Sequence, residues 1–407
     1  MKMLHSSRGV RGAIAVSAAI LVAAGTTSAF AAPSTSSGTS PSGTSQRASG
    51  WSESKVTPGN ATLISSTRPD AHTTWVAGMR FIPSGDSFDF APTLWERDER
   101  NGPGWKQVRT APVPQSYDVR FNDVDASSPR NAILGGDYAE QAGGVVTQRW
   151  NGTAWKSAIA PVPRGTMEAG FLSVDTRAPN DAWGAGWAQV PVTEDDSRYV
   201  GMLQHWDGTR WKAQKLPDFG EGEGGWSLES VAALAADDVW AVGSTYNESA
   251  AKPLLLHYDG TRWSKVAAPG LGAARAGLNA VAAGPDGQVW AVGGSKKPDG
   301  SPEGLVLKYD GKKWTNVPLP KGTGELGSVT VSQGDPVVVV KGTDDTRSAV
   351  LRRTGGTWVS MNLPSDGAKP LDAIDVSASG RTIDVTGHYP TTGSQWVGPG
   401  SVLTARR

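Results

Sequence analysis

The chain of 407 residues contains no cysteine. Disulfides and a lipid-attached N-terminal cysteine are therefore excluded. Histidine is scarce, and beyond residue 31 only His72, His205, His257 and His388 remain. A zinc site needs several converging ligands. His205 and His257 instead recur at one position of a repeat, and Arg149, Lys308 and Arg352 fill that position elsewhere. We read it as a structural slot, and no metal or other cofactor is expected. An excess of charge is also lacking, with 39 basic and 39 acidic residues. Without a basic block or stripe, nucleic acid is not an expected partner.

No apolar run is long enough to span a membrane comfortably. The run at 13–25 is preceded by Lys2, Arg8 and Arg11 and followed by Ala29-Phe30-Ala31. That order fits a secretory signal peptide over residues 1–31. Its removal takes three of the 39 basic groups, leaving 36 against 39 acidic ones. Residues 32–49 are almost all Ser, Thr, Gly and Pro, which predicts a disordered tether. The product is expected to be secreted, monomeric and without an integral membrane segment.

What the chain has in quantity is tryptophan (17), glycine (51) and proline (27), and they recur in register. One tryptophan column reads Trp51, Trp105, Trp155, Trp211, Trp263, Trp314 and Trp358, each followed by a proline six or seven residues on. A glycine column reads Gly78, Gly136, Gly186, Gly243, Gly293, Gly342 and Gly387. Three residues before it stand Trp75, Ile133, Trp183, Trp240, Trp290, Val339 and Asp384. Each unit holds four short runs rich in β-branched and aromatic residues, bounded by Gly, Pro and Asp, which predicts strands. Asn151-Gly152, Asp207-Gly208, Asp259-Gly260 and Asp310-Gly311 mark the turn between the third and fourth runs.

A repeat near fifty residues with four strands is a propeller blade. The expected fold is all-β, a seven-bladed β-propeller over residues 50–407 with four antiparallel strands per blade. We number the units 1 to 7 by the tryptophans from Trp105 to Trp358 and then Trp51. Unit 7 is split, with three runs after Pro370 and the fourth at Trp51–Pro58. Pairing of that segment with Ser401–Arg407 would close the ring and remove two exposed strand edges.

Gly293, Tyr309 and Trp314 resemble the kelch pattern, and Asp259-Gly260-x-x-Trp263 resembles a shortened Asp-box of sialidase-type propellers. The resemblance covers about 50–407 and implies fold, not activity. Galactose-oxidase-type radical chemistry needs a tyrosine crosslinked to cysteine and cannot be built here. The sialidase arginine triad and tyrosine nucleophile have no counterpart that the sequence places, nor has the histidine and magnesium site of streptogramin-lyase-like propellers. Paired carboxylates for glycoside hydrolysis depend on a spatial separation.

Two of the four connections vary strongly between units, the one from second to third strand and the one between units. They emerge on one rim, where a rigid scaffold presents binding groups. Trp187, Tyr199, Trp226, Tyr246 and Trp396 lie off the repeat columns in or beside these connections and are the candidate ligand-binding residues. No catalytic residues are assigned. The expected function is a secreted, non-catalytic propeller that binds an extracellular protein or other macromolecule through this rim. The alternative is a carbohydrate-binding or carbohydrate-active propeller, of lectin or glycoside hydrolase type, with a glycan as partner.

Overall fold

The computed structural model describes residues 50–406 apart from 85–86, 114–117, 140–142, 194–195, 220–224, 247–250, 270–274, 298, 343–347, 367–368 and 390–397. Side chains at 58, 60, 83–88 and 365–370 are also outside the description. The expected signal peptide and tether, and Trp396, lie outside the described residues. Residues 47–407 belong to one compact unit. Apart from one 3-10 turn at Glu99–Asn101, every regular element among the described residues is a strand. Among the described residues no helix is long and apolar enough to cross a membrane.

Units 4, 5 and 6 are separate four-stranded antiparallel sheets in sequence order. Unit 4 consists of Trp226–Ala235, Asp238–Thr245, Lys252–Tyr258 and Trp263–Lys265. Its fourth strand is only three residues long, which leaves little edge for unwanted pairing. Unit 7 comprises Asp372–Ser379, Thr382–His388 and Gly398–Arg406. The long N-terminal strand Trp51–Thr67 serves twice. Its first part pairs antiparallel with Gly398–Arg406, from Trp51 opposite Ala405 to Lys55 opposite Ser401. Its second part pairs with Thr73–Ser84 as the first strand of unit 1.

The first strands pack on one another in order, and Asp372–Ser379 packs on the strand Trp51–Thr67. A side-chain column stitches them together. Within six of the seven first strands, one residue accepts a hydrogen bond from a backbone N–H of the next unit's first strand. Ser65 Oγ accepts from Val124 (3.3 Å), Asp123 Oδ2 from Val174 (2.7 Å), Ser173 Oγ from Val231 (3.3 Å) and Ser230 Oγ from Val281 (3.2 Å). Ser328 Oγ accepts from Val376 (3.4 Å), and Asp375 Oδ2 from Ser66 (2.7 Å), which joins unit 7 to unit 1. At the step from unit 5 to unit 6 the column holds Ala280, which has no side-chain acceptor. The preceding residue substitutes: Asn279 Nδ2 donates to the Leu326 carbonyl at 2.7 Å.

Each first strand carries an irregularity next to this column, as between Leu228 and Ser230. The glycine column of the second strand lies opposite it. A Cβ on Gly243 would stand 2.1 Å from the Ser227 carbonyl oxygen, and the equivalent glycines of units 1, 2, 3, 5 and 7 face the same clash. That close approach is why the sequence keeps glycine there.

The core consists of clusters between successive units. Trp183 and Trp263 meet edge to face at 5.5 Å between units 3 and 4, and Trp240 and Trp314 do so at 5.0 Å between units 4 and 5. Large rings fill the space between sheets and dominate its burial energy. The side-chain oxygen of Asp259 accepts the N–H of both Thr261 and Arg262, so the Asp-Gly turn is capped by its own first residue.

Candidate functional site

The paired second and third strands of unit 3 place Trp187 and Tyr199 on one face. Tyr199 lies opposite Gln189, which puts Trp187 on the diagonal, and their rings meet at 5.4 Å. Gly225 then joins unit 4 to this edge. It bridges to Tyr199 in parallel register, and its carbonyl accepts the N–H of Tyr246 at 2.7 Å. Its φ is 80°, and a Cβ there would stand 2.1 Å from the Tyr199 carbonyl oxygen, so only glycine allows the approach. The Tyr199 and Tyr246 rings are brought to 6.2 Å, edge to face. Trp187, Tyr199 and Tyr246 form one half-buried aromatic wall.

Trp226 is placed differently. It is only 6% exposed and packs in the core between units 3 and 4, against Phe219 at 4.6 Å. As the opening residue of a first strand it faces the neighbouring sheet and not the rim. Trp396 lies outside the described residues, as do Glu194, Asp195, Glu221 and Glu223 of the same variable connections.

A carboxyl stands at the end of the aromatic wall. Glu229 is 7% exposed, and its Oε1 accepts the Ser227 hydroxyl at 2.5 Å and the Tyr246 hydroxyl at 3.4 Å. The Tyr246 and Ser227 hydroxyls also bond each other. Burial pushes the Glu229 carboxyl above its ordinary value, against the Ser227 hydrogen bond and the field of Lys341. Burial, and then the Glu229 charge, push the Tyr246 phenol well up. Tyr199 is raised as well, by burial and by Glu168. Further round, Asn279 Nδ2 donates to Glu325 Oε1 at 2.7 Å, and Lys341 pairs with the same oxygen at 2.7 Å. Burial of Glu325 favours its neutral form, but Lys341 outweighs it and the carboxyl lies below its ordinary value. Glu229 was not legible as a site residue, because it sits in the regular first strand and not in a variable connection. The available signal is its column, which otherwise holds Ile64, Asn122, Leu172, Asn279, Gly327 and Ile374.

Four more carboxyls lie mid-way along first strands and face a neighbouring unit: Asp123, Asp125, Asp175 and Asp375. Burial pushes Asp123 up to about 7, against hydrogen bonds from Ser65 and the Val174 N–H, with the nearby Asp375 and Asp125 charges adding to the rise. Asp125, Asp175 and Asp375 are raised too, each chiefly by burial. All four residues keep partial solvent contact, which tempers the push. Their oxygens serve the stitching between units, so these are structural acids.

The repeated histidines stack on core tryptophans, His205 on Trp183 at 4.4 Å and His257 on Trp240 at 4.2 Å. Their Nε2 atoms lie 2.9 Å from Asp181 and 2.8 Å from Asp238. Among the described residues no group of three or more His, Cys, Asp or Glu could hold a metal ion. A separate cleft of about 530 Å³ lies on unit 5, lined among others by Lys297, Glu303, Pro318 and Pro320. It has no aromatic lining residue, unlike the wall on units 3 and 4.

No protein-family model and no curated protein matches the sequence. Solved structures do. The β-propeller domain of the Trilobed protease from Pyrococcus furiosus, described as having an open velcro topology, superposes with a TM-score of 0.52 at 9% identity, covering 85% of this chain and 95% of that one. Acylaminoacyl peptidase from Pyrococcus horikoshii gives 0.53 at 7% identity, covering 85% of this chain and 52% of that one. Acylaminoacyl peptidase in complex with Z-Gly-Gly-Phe-chloromethyl ketone gives 0.53 at 8%, covering 85% and 51%. This chain thus spans about half the length of those peptidases. At such identities the likeness establishes a β-propeller fold and nothing finer.

The likeness corrects one expectation. The similar solved propellers belong to peptidases, so the fold lends no support to a non-catalytic scaffold that holds a macromolecule on its variable rim. The rim set is not a single surface either, because Trp226 is core.

Proposed function

We propose that this chain is a peptide-handling propeller, whose site is the aromatic wall of Trp187, Tyr199 and Tyr246 ending at Glu229. The single observation that carries this reading is a row of three aromatic rings from two units that ends, through the Tyr246 hydroxyl, on one buried carboxyl. Apolar rings with a few fixed polar groups are what a ligand site needs. The choice of peptide as ligand is supported by the peptidase propellers that share the fold.

The reading includes the finer architecture. Seven four-stranded blades form one ring, closed where Trp51–Thr67 pairs with Gly398–Arg406 and where Asp375 bonds Ser66. Residues 1–31 direct export, residues 32–49 form a tether, and the exported chain begins at Ala32.

Calorimetry with blocked and unblocked tri- to hexapeptides tests the site. Peptides are expected to bind, and Trp187→Ala combined with Tyr199→Ala is expected to weaken them at least tenfold, about 1.4 kcal/mol. Binding that survives this double change, or no binding by any peptide, overturns the proposal.

A further inference from the structure

The charge balance at the aromatic wall is uneven. Glu229 is more than nine-tenths buried, yet among the described residues its bonded partners are only the hydroxyls of Ser227 and Tyr246. A buried carboxylate is costly unless it is paired. Lys341 acts on it from a distance, but that ammonium is already bonded to Glu325 at 2.7 Å. On the other side Glu168 is exposed and lies opposite Gln189, which in turn lies opposite Tyr199 across the sheet. Among the described residues neither Glu168 nor Glu229 forms an ion pair. Independently of these charges, aromatic ring faces attract cations by their quadrupole. Two uncompensated carboxyls at an aromatic wall therefore select a positive group. A metal ion is a poor candidate, since among the described residues no set of three or more ligating side chains converges.

We propose that this site takes an alkylammonium group carried by a peptide, seated against the Tyr199 and Tyr246 rings and neutralised by Glu229 and Glu168. It rests on the peptide reading above. Ser227 and Tyr246 act as positioning residues that fix the Glu229 carboxyl before the ligand arrives, and such preorganisation lowers the cost of binding. A lysine side chain and a free peptide N-terminus supply the same chemistry.

Three probes separate the sources: acetyl-Gly-Lys-Gly-amide, Gly-Phe-Gly-amide and uncharged acetyl-Gly-Phe-Gly-amide. Calorimetry is run in low and in high salt. One or both cationic peptides are expected to bind at least tenfold more tightly than the neutral one. That preference should shrink as salt is raised, as for any charge-driven contact. Glu229→Gln should remove most of it. Glu168→Gln, at an exposed position, should reduce it without touching the fold, and serves if the Glu229 variant does not fold. Binding by only one cationic peptide supports the proposal and names the source. Equal binding of all three, unmoved by Glu168→Gln, overturns the ammonium site and leaves the peptide reading standing. Binding by none overturns both.

Discussion

The interfaces around unit 4 and the one between units 7 and 1 are built by different means. On either side of unit 4, eleven buried apolar residues form the cluster, with pairs of tryptophans at the centre. Between units 7 and 1 the buried apolar cluster is Val56, Leu63, Val76 and Val402 only. The column that holds Trp183, Trp240 and Trp290 holds Asp384 in unit 7, and Asp384 is fully buried. Arg68 of unit 1 meets it at 2.7 Å, and Thr74 and Thr404 donate to it at 3.1 and 2.6 Å. Arg68 also reaches Glu99, which in turn pairs with Arg97 and Arg406. Consecutive units are tethered by short connections, so non-directional packing suffices between them. The chain passes from unit 7 to unit 1 through Trp51–Thr67, but that strand and the other three strands of unit 7 lie at opposite ends of the sequence and have no such tether. A directional ion pair fixes their register, at the expense of desolvating two charges.

The largest expected effect tests this difference directly. Arg68→Ala removes the nearer ion partner of buried Asp384, leaving Arg97 at 4.0 Å, and should cost about 3–5 kcal/mol in denaturant unfolding. Trp240→Ala, which opens a cavity in the interior interface, should cost a similar ~3–5 kcal/mol. The two losses should respond differently to a second change. Arg68→Met with Asp384→Leu should recover most of the first loss, because an apolar pair of similar volume removes the desolvation term. Adding Trp314→Ala to Trp240→Ala should recover none. If the Arg68 and Asp384 double variant is as unstable as Arg68→Ala, the ion pair is not what distinguishes this interface.

Much of this was legible in the sequence, and what was missed has a physical cause. The tryptophan and glycine columns are dictated by packing and by close backbone approach, so they recur with little freedom. The stitching column was not noticed, although it reads Ser65, Asp123, Ser173, Ser230, Ala280, Ser328 and Asp375. Serine and aspartate in a strand look like ordinary polar positions until the neighbouring unit's N–H is in place. Asp384 stood out in its column, but its partner Arg68 is 316 residues away and outside the repeat register. At the candidate site, Trp187, Tyr199 and Tyr246 were identified as single residues, while their convergence depends on the Gly225 bridge. Trp226 was misplaced because an unpatterned tryptophan can open a strand and still be core.

A smaller effect sharpens the comparison through pH. Within the stitching column two steps use carboxyls, Asp123 from unit 2 to unit 3 and Asp375 from unit 7 to unit 1, whereas the steps on either side of unit 4 use Ser173 and Ser230, the raised Asp175 carboxyl adding a bond to Ala233 outside the column. In the unfolded chain an aspartate loses its proton near 3.8, and in the fold Asp123 is pushed up to about 7. Between those values the folded state binds more protons than the unfolded one, so stability is greatest on the acid side and falls as pH rises through the window. Asp375 shifts in the same direction. Raising the pH from 5 to 8 should therefore lower stability, on the order of 1–2 kcal/mol after allowance for water at these carboxyls. Asp123→Ser, the residue used beside unit 4, should flatten the slope of melting temperature against pH. A slope of the opposite sign in the parent protein would mean that hydrogen bonds to these carboxylates outweigh their burial.

The smallest expected effect concerns the step from unit 5 to unit 6. Six of the seven positions in the stitching column bond the next unit, and Ala280 is the one that does not. The N–H in the corresponding place belongs to Val329, the residue after Ser328, just as Val281 follows Ala280 and is bonded by Ser230. Serine at 280 would have the reach that Ser230 has at 3.2 Å, in the same local geometry beside a strand irregularity. Ala280→Ser should thus stabilise the fold by about 1 kcal/mol, the usual net worth of one such bond. Hydrogen exchange locates the gain: the Val329 amide should slow toward the rate of Val281, while amides at the Arg68 and Asp384 seam stay unchanged. Should Val329 already exchange as slowly as Val281 in the parent protein, the step is not a gap. The Asn279 bond to Leu326 would then be sufficient there, and the weakest step of the stitching would have to be sought at the ion-paired seam instead.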